Sequence, residues 1–77
     1  MVFDQVKKSI AEIMSKDEDD ITMDTDLVSD LGVDSVDSVE LIMALEEIYD
    51  VSISDEDASQ LKTVADVVDF VERAIEE

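Results

Sequence analysis

The sequence predicts an all-α fold: a small four-helix bundle of three longer helices and one short one, with a long loop between helices 1 and 2. Three observations predict it. The chain has no proline and a single glycine, Gly32, which leaves it poorly supplied with the turns of an all-β domain. Apolar residues recur at helical spacing in three separate stretches. Its 77 residues are 45% hydrophobic but only 4% aromatic, so the core has to be built from Val, Ile, Leu and Met. A chain of this length makes one domain, residues 1–77. It buries only about 60% of its unfolded surface, so its stability is expected to be marginal.

The first helix is expected from about Val2 to Ser15, with Phe3, Val6, Ile10, Ile13 and Met14 facing inward and Lys7, Lys8 and Glu12 outward. An acidic loop, KDEDDITMDTDLVSDLGV, follows and is too long for a bare connector, so Ile21, Leu27, Leu31 and Val33 are expected to pin it to the core. Gly32 fits a turn conformation that a side chain would resist. The second helix starts near Asp34, as N-cap, and runs to about Tyr49, with Asp37 as a favourable first-turn acid. A short third helix covers Asp55 to Ser59, capped by Ser54 with Asp57 three residues on. The last opens with Thr63 and Asp66 in capping-box spacing, and its apolar face is Val64, Val67, Val68, Val71 and Ile75.

Charge and composition exclude several functions. Net charge is −18, and no basic residue lies between Lys16 and Lys62. Such a surface repels nucleic acid and anionic membranes and draws basic protein partners. No cysteine means no disulfide, thiolate nucleophile or sulfur metal site, and fits a reducing compartment. No apolar run approaches the roughly 20 residues of a membrane span, and the N-terminus lacks a signal-peptide pattern. A cytoplasmic protein is expected, and a mature organellar form would look the same. A serine nucleophile needs a base, normally histidine, and the chain has none. A calcium loop counted from Asp24 fails, because its sixth and twelfth positions hold Ser29 and Ser35 where Gly and Glu are required. No metal site is expected beyond weak, nonspecific divalent binding to the acidic loop. The chain reads as a substrate or partner of enzymes and not as an enzyme.

At about 100° per residue from Val36, the second helix has two apolar faces. Leu41, Ile42, Leu45, Ile48 and Tyr49 form a core stripe, while Val36, Val39 and Met43 lie opposite, flanked by Glu40, Glu46 and Glu47. Two readings of the second stripe stand: ordinary surface residues, or a docking strip of apolar knobs rimmed by carboxylates. The duplicated Asp-Ser-Val of GVDSVDSV separates on the same wheel. Ser38 falls in the core stripe, part-buried and bonded to the backbone. Ser35 falls in the first turn, where free amides and the helix dipole favour an anion, so position favours Ser35 as the site of any phosphoryl group.

Gly32-Val33-Asp34-Ser35-Val36-Asp37-Ser38-Val39-Glu40-Leu41 closely resembles the attachment motif of acyl carrier proteins. The likeness continues through Met43-Ala44-Leu45-Glu46-Glu47, Tyr49-Asp50, Ile53, Asp55-Glu56-Asp57 and Thr63-Val64, covering essentially the whole chain. It implies a monomeric four-helix bundle whose Ser35, within an Asp34-Ser35 motif, carries covalent 4′-phosphopantetheine installed from coenzyme A by a phosphopantetheinyl transferase. The arm's thiol would hold acyl intermediates as thioesters for fatty-acid-synthesis enzymes, so thiol chemistry is possible without cysteine. Carried over by position, Val36, Asp37, Val39, Glu40, Met43, Glu46 and Glu47 become contacts for basic patches on those partners. On the same analogy acyl chains would lie between the helices near Leu45 and Val64. Val36 stands where the family more often has leucine, and Ser54 where it often has proline. Gly32-Val33, in place of the Gly-Gly of peptidyl carriers, leans toward an acyl carrier. A specialised polyketide or aminoacyl carrier, or an unmodified acidic adaptor, is the alternative.

Overall fold

A computed structural model describes residues 2–76. Among them the order is α1 (Val2–Met14), a 3-10 turn (Glu18–Asp20), α2 (Ser35–Tyr49), α3 (Asp55–Ser59) and α4 (Val64–Glu76), with no β-strand. α1 packs on both α2 and α4. It runs antiparallel to α2: Ile13 and Met14 at its end lie by Val33 and Leu41, while Val2 and Gln5 at its start lie by Tyr49. The core is aliphatic throughout, from Val6, Ile10 and Ala11 of α1, Leu41 and Leu45 of α2, and Val64, Val67, Val68 and Val71 of α4. Phe70 packs against it half-buried, beside the valine stripe.

Each helix end has an identifiable cause. α1 stops at Met14, one residue before the expected Ser15, because Ser15 takes a left-handed conformation (φ 55°) and the Lys16 amide bonds back to the Ala11 carbonyl. Asp34 caps α2 through a reciprocal box: its carboxylate accepts from the Asp37 amide, and the Asp37 carboxylate accepts from the Asp34 amide. At the other end of α2, Asp50 is left-handed (φ 53°). Ser54 caps α3 through the Asp57 amide. Gly32 lies at φ 69° with nothing within 4 Å of where a Cβ would sit, so the turn needs glycine for its backbone and not for space.

Two residues assigned to core stripes are in fact half in solvent. Ile48 is 47% exposed and Ile75 is 46% exposed. Both occupy the last turn of their helices, where the direction toward the core is right but fewer neighbouring elements remain to cover the side chain.

The loop between α1 and α2 is built into the bundle. Ile21, Thr25 and Leu27 are buried, and Leu31 and Val33 pack half-buried beside them. Backbone carbonyls of Thr25 and Met23 accept the Val64 and Ala65 amides at 3.0 and 2.9 Å, and the Leu27 amide donates to Lys62 at 2.9 Å. The loop therefore satisfies amides that the first turn of a helix leaves free. Asp66 completes the cap by accepting from the Lys62 and Thr63 amides, while the Thr63 hydroxyl accepts from the Asp66 amide. Two of the loop's own acids are also occupied. Asp26 accepts from the Val28 and Ser29 amides, and Asp30 accepts from the Asp26 amide.

The hydrogen bonds from Lys62 and Thr63 hold the Asp66 carboxyl below its ordinary value of 3.8. Asp66→Ala is expected to cost about 1 kcal/mol at neutral pH, as a lost cap does. A carboxyl with a depressed folded pKa stabilises above its unfolded value, and that stability is lost as pH falls through the folded value. The difference in melting temperature between wild type and Asp66→Ala should thus be full at neutral pH and shrink once pH drops below 3.8. Thermal melts across that range check it, and a constant difference would show that the carboxylate is not the cap.

Candidate functional site at the start of α2

Ser35 is the first residue of α2, exposed, and its position follows from its neighbours. Gly32 turns the chain, the Val33 amide bonds to the Leu27 carbonyl, and Asp34 caps the helix. Among the described residues, neither the Ser35 nor the Val36 amide donates a hydrogen bond within the chain, as expected of the first positions of a helix. The capping carboxylates of Asp34 and Asp37 already occupy the positive end of the helix dipole. A phosphoryl group on the Ser35 oxygen would share the helix start with the free amides, which favour it, and with these two acids, which oppose it.

Ser35 borders a cleft of about 390 Å³ between α2 and α3. Val39, Ile42 and Met43 form the α2 wall, with Ile53 and Ala58 opposite and Glu46 at one end. That volume suits a slender organic arm, and its walls are mostly apolar with a few polar groups at the rim. The interior beside Leu45 and Val64 is closed by comparison, both residues being 0% exposed. An acyl chain lodged there would have to displace packed side chains, whereas the cleft is open.

Ser38 is half-buried, as its wheel angle predicts, but it is not embedded in the core. It lines the Ser35 cleft and also a second one, bordered by Val28, Leu61 and Lys62. Among the described residues its side chain makes no hydrogen bond to the backbone; only its amide does, to the Asp34 carbonyl.

The second apolar face of α2 is bare. Val36, Val39 and Met43 are 64%, 56% and 61% exposed, although Val39 and Met43 also line the cleft that α3 borders. Glu40 and Glu47 are exposed beside them. Asp37 and Glu46 are half-buried and already engaged, Asp37 in the capping box and Glu46 with the amide of Ile53 at 2.8 Å. Sequence reasoning missed that second engagement, since no letter pattern reports a hydrogen bond across seven residues. Among the described residues no group of three or more Asp or Glu is placed to hold a metal ion, and no helix is long and apolar enough to cross a membrane.

The molecule thus combines a bundle of four helices, a capped helix opening on an exposed serine, and a narrow cleft beside it. A family model described as "Phosphopantetheine attachment site" matches residues 4–71. The chain is 51% identical over 71 residues to an acyl carrier protein of Campylobacter lari, covering 92% of both chains. It is 53% identical over 70 residues to one of Clostridium perfringens, covering 91% of this chain and 92% of that one. A solved structure from Mycobacterium tuberculosis, described as an acyl carrier protein, superposes with a TM-score of 0.89 at 37% identity, over 95% of this chain and 97% of the other. The chain belongs to the acyl carrier protein family. It is a carrier and not an enzyme, and its cofactor is covalently attached 4′-phosphopantetheine.

Proposed function

We propose that Ser35 carries the phosphopantetheine arm and that the protein presents acyl groups on it to the soluble enzymes of fatty acid synthesis in the cytoplasm. The observation that supports this most directly is the place of Ser35, exposed at the first turn of α2 and opening onto a cleft of about 390 Å³. Attachment joins the Ser35 oxygen to the pantetheine-side phosphorus of coenzyme A. The pyrophosphate bond breaks, adenosine 3′,5′-bisphosphate leaves, and a base on the transferase takes the hydroxyl proton, the chain having no histidine of its own. When bound, the arm supplies a thiol that holds acyl groups as thioesters.

The rest is done by the protein's own side chains. Asp34 fixes the start of α2 and so the direction of the serine. Ile42, Ile53 and Ala58 give an apolar shelter to whatever lies along the cleft. Val36, Val39 and Met43 form the docking surface, Glu40 and Glu47 its exposed acidic rim, and Asp37 and Glu46 its edges. The fitting partners are a phosphopantetheinyl transferase and synthesis enzymes with basic patches around an apolar depression. The protein docks as a monomer. Intact-mass measurement after incubation with coenzyme A and a carrier-protein transferase tests the reading. One phosphopantetheine per chain is expected, and a folded sample that gains none would overturn it.

Reversing charge on the rim should slow docking. Glu40→Lys or Glu47→Lys is expected to lower the association rate with the transferase by roughly tenfold at low salt, with the deficit fading as salt screens the field. Stopped-flow binding at several ionic strengths measures both effects. Unchanged rates at low salt would remove these two acids from the docking face.

A further inference from the structure

Glu46 holds the turn after α2 from both of its ends. Its main-chain carbonyl accepts from the Asp50 and Val51 amides, and its side-chain Oε2 accepts from the Ile53 amide at 2.8 Å. Ile53 is buried, with 8% exposure, so its amide has little recourse to water if the carboxylate is lost. The next residue, Ser54, is the cap of α3. Fixing Ile53 therefore fixes where α3 begins.

That placement matters because α3 is short, with Ala58, half-buried against the core, as its one apolar side chain. Five residues are far too few for a helix to persist by itself. None of the close packing that joins α1 to α2 and to α4 involves α3. Yet α3 supplies one wall of the cleft beside Ser35, through Asp55 and Ala58, while Glu46 and Ile53 lie on the same cleft's lining. One hydrogen bond thus ties the α2 wall to the residue that leads into α3.

We propose that Glu46 is a positioning residue whose carboxylate, by holding the Ile53 amide, sets the place of α3 and with it the width of the cleft that receives the arm and its acyl load. The link to the acyl load rests on the proposed function; the link to α3 does not. Glu46 thereby differs from Glu40 and Glu47, whose side chains have no such inward partner among the described residues.

Amide hydrogen exchange of the unmodified protein tests the first link. In Glu46→Ala, the amides from Ile53 to Gln60 should exchange roughly tenfold faster, with those of α1 and α4 unchanged. Glu46→Gln keeps an acceptor on the same stem and should stay close to wild type. The second link is read on the three proteins loaded with an octanoyl arm from octanoyl-coenzyme A. Hydroxylamine should cleave the thioester several-fold faster in Glu46→Ala and at the wild-type rate in Glu46→Gln. Unchanged exchange in Glu46→Ala, a Glu46→Gln that behaves like Glu46→Ala, or faster exchange without faster cleavage would each overturn the proposal. Should Glu46→Ala lose protection in α1 and α4 as well, Glu46→Met, which keeps the stem without a strong acceptor, is read in its place. A wild type that accepts no arm would count against the carrier reading alone, because the exchange experiment still decides the role of Glu46 at α3.

Discussion

Incubated with coenzyme A and a carrier-protein transferase, Ser35→Ala is expected to gain no mass at all, while Ser38→Ala still gains one phosphopantetheine. The two serines have the same neighbours in sequence, an aspartate before and a valine after. Only their places in α2 differ. Ser35 is the first helical residue, exposed, with its own amide free and Asp34 bonded around it. Ser38 is one turn further in, half-buried, its amide spent on the Asp34 carbonyl and the residue lining two clefts. The first hydroxyl stands on the exposed helix end, where a transferase meets it directly, whereas the second is half-buried between two clefts. Neither change removes a buried hydrogen bond of the side chain, so both variants should fold. Labelling that persists in Ser35→Ala, or is lost only in Ser38→Ala, would reverse the assignment.

The largest expected effect on stability is that of Leu45→Ala. Leu45 is 0% exposed, at the centre of the α2 stripe that faces α1 and the rest of the core. Removing a buried leucine side chain costs about 2–5 kcal/mol, depending on how far the cavity collapses. A domain of this size has only on the order of 4–12 kcal/mol in all. The melting temperature should fall by roughly 10–40 °C. Ile48→Ala, on the same wheel stripe but 47% exposed, should cost less than half as much. Chemical denaturation of both variants measures the ratio. Equal losses would show that Ile48 is buried in solution after all.

The sequence announced the fold wherever its causes were local. Asp34, Ser54 and the Thr63–Asp66 pair cap the helices they were expected to cap, because a cap is a short-range bond between a side chain and an amide three residues on. The site was legible for the same reason, since Asp34 and Gly32 alone place Ser35 at a helix start. What could not be read was anything depending on how far a neighbour extends. A wheel gives Ile48 and Ile75 the right direction and cannot say that the bundle has thinned out there. The bond from Glu46 to Ile53 depends on the shape of a turn, and the cap that the loop places on α4 uses main-chain carbonyls, which every residue has. Ser38 was given the right depth but the wrong surroundings, because the wheel does not place α3.

That main-chain cap has a consequence for the order in which the molecule assembles. The carbonyls of Met23 and Thr25 complete the first turn of α4, a helix that lies far downstream in the chain. α4 and the loop can therefore reach their final form only together. A growing chain released before Val64 has no amides to offer that loop, so it should leave Ile21 and Leu27 uncovered. A helix some forty residues downstream is thus what closes the middle of the protein.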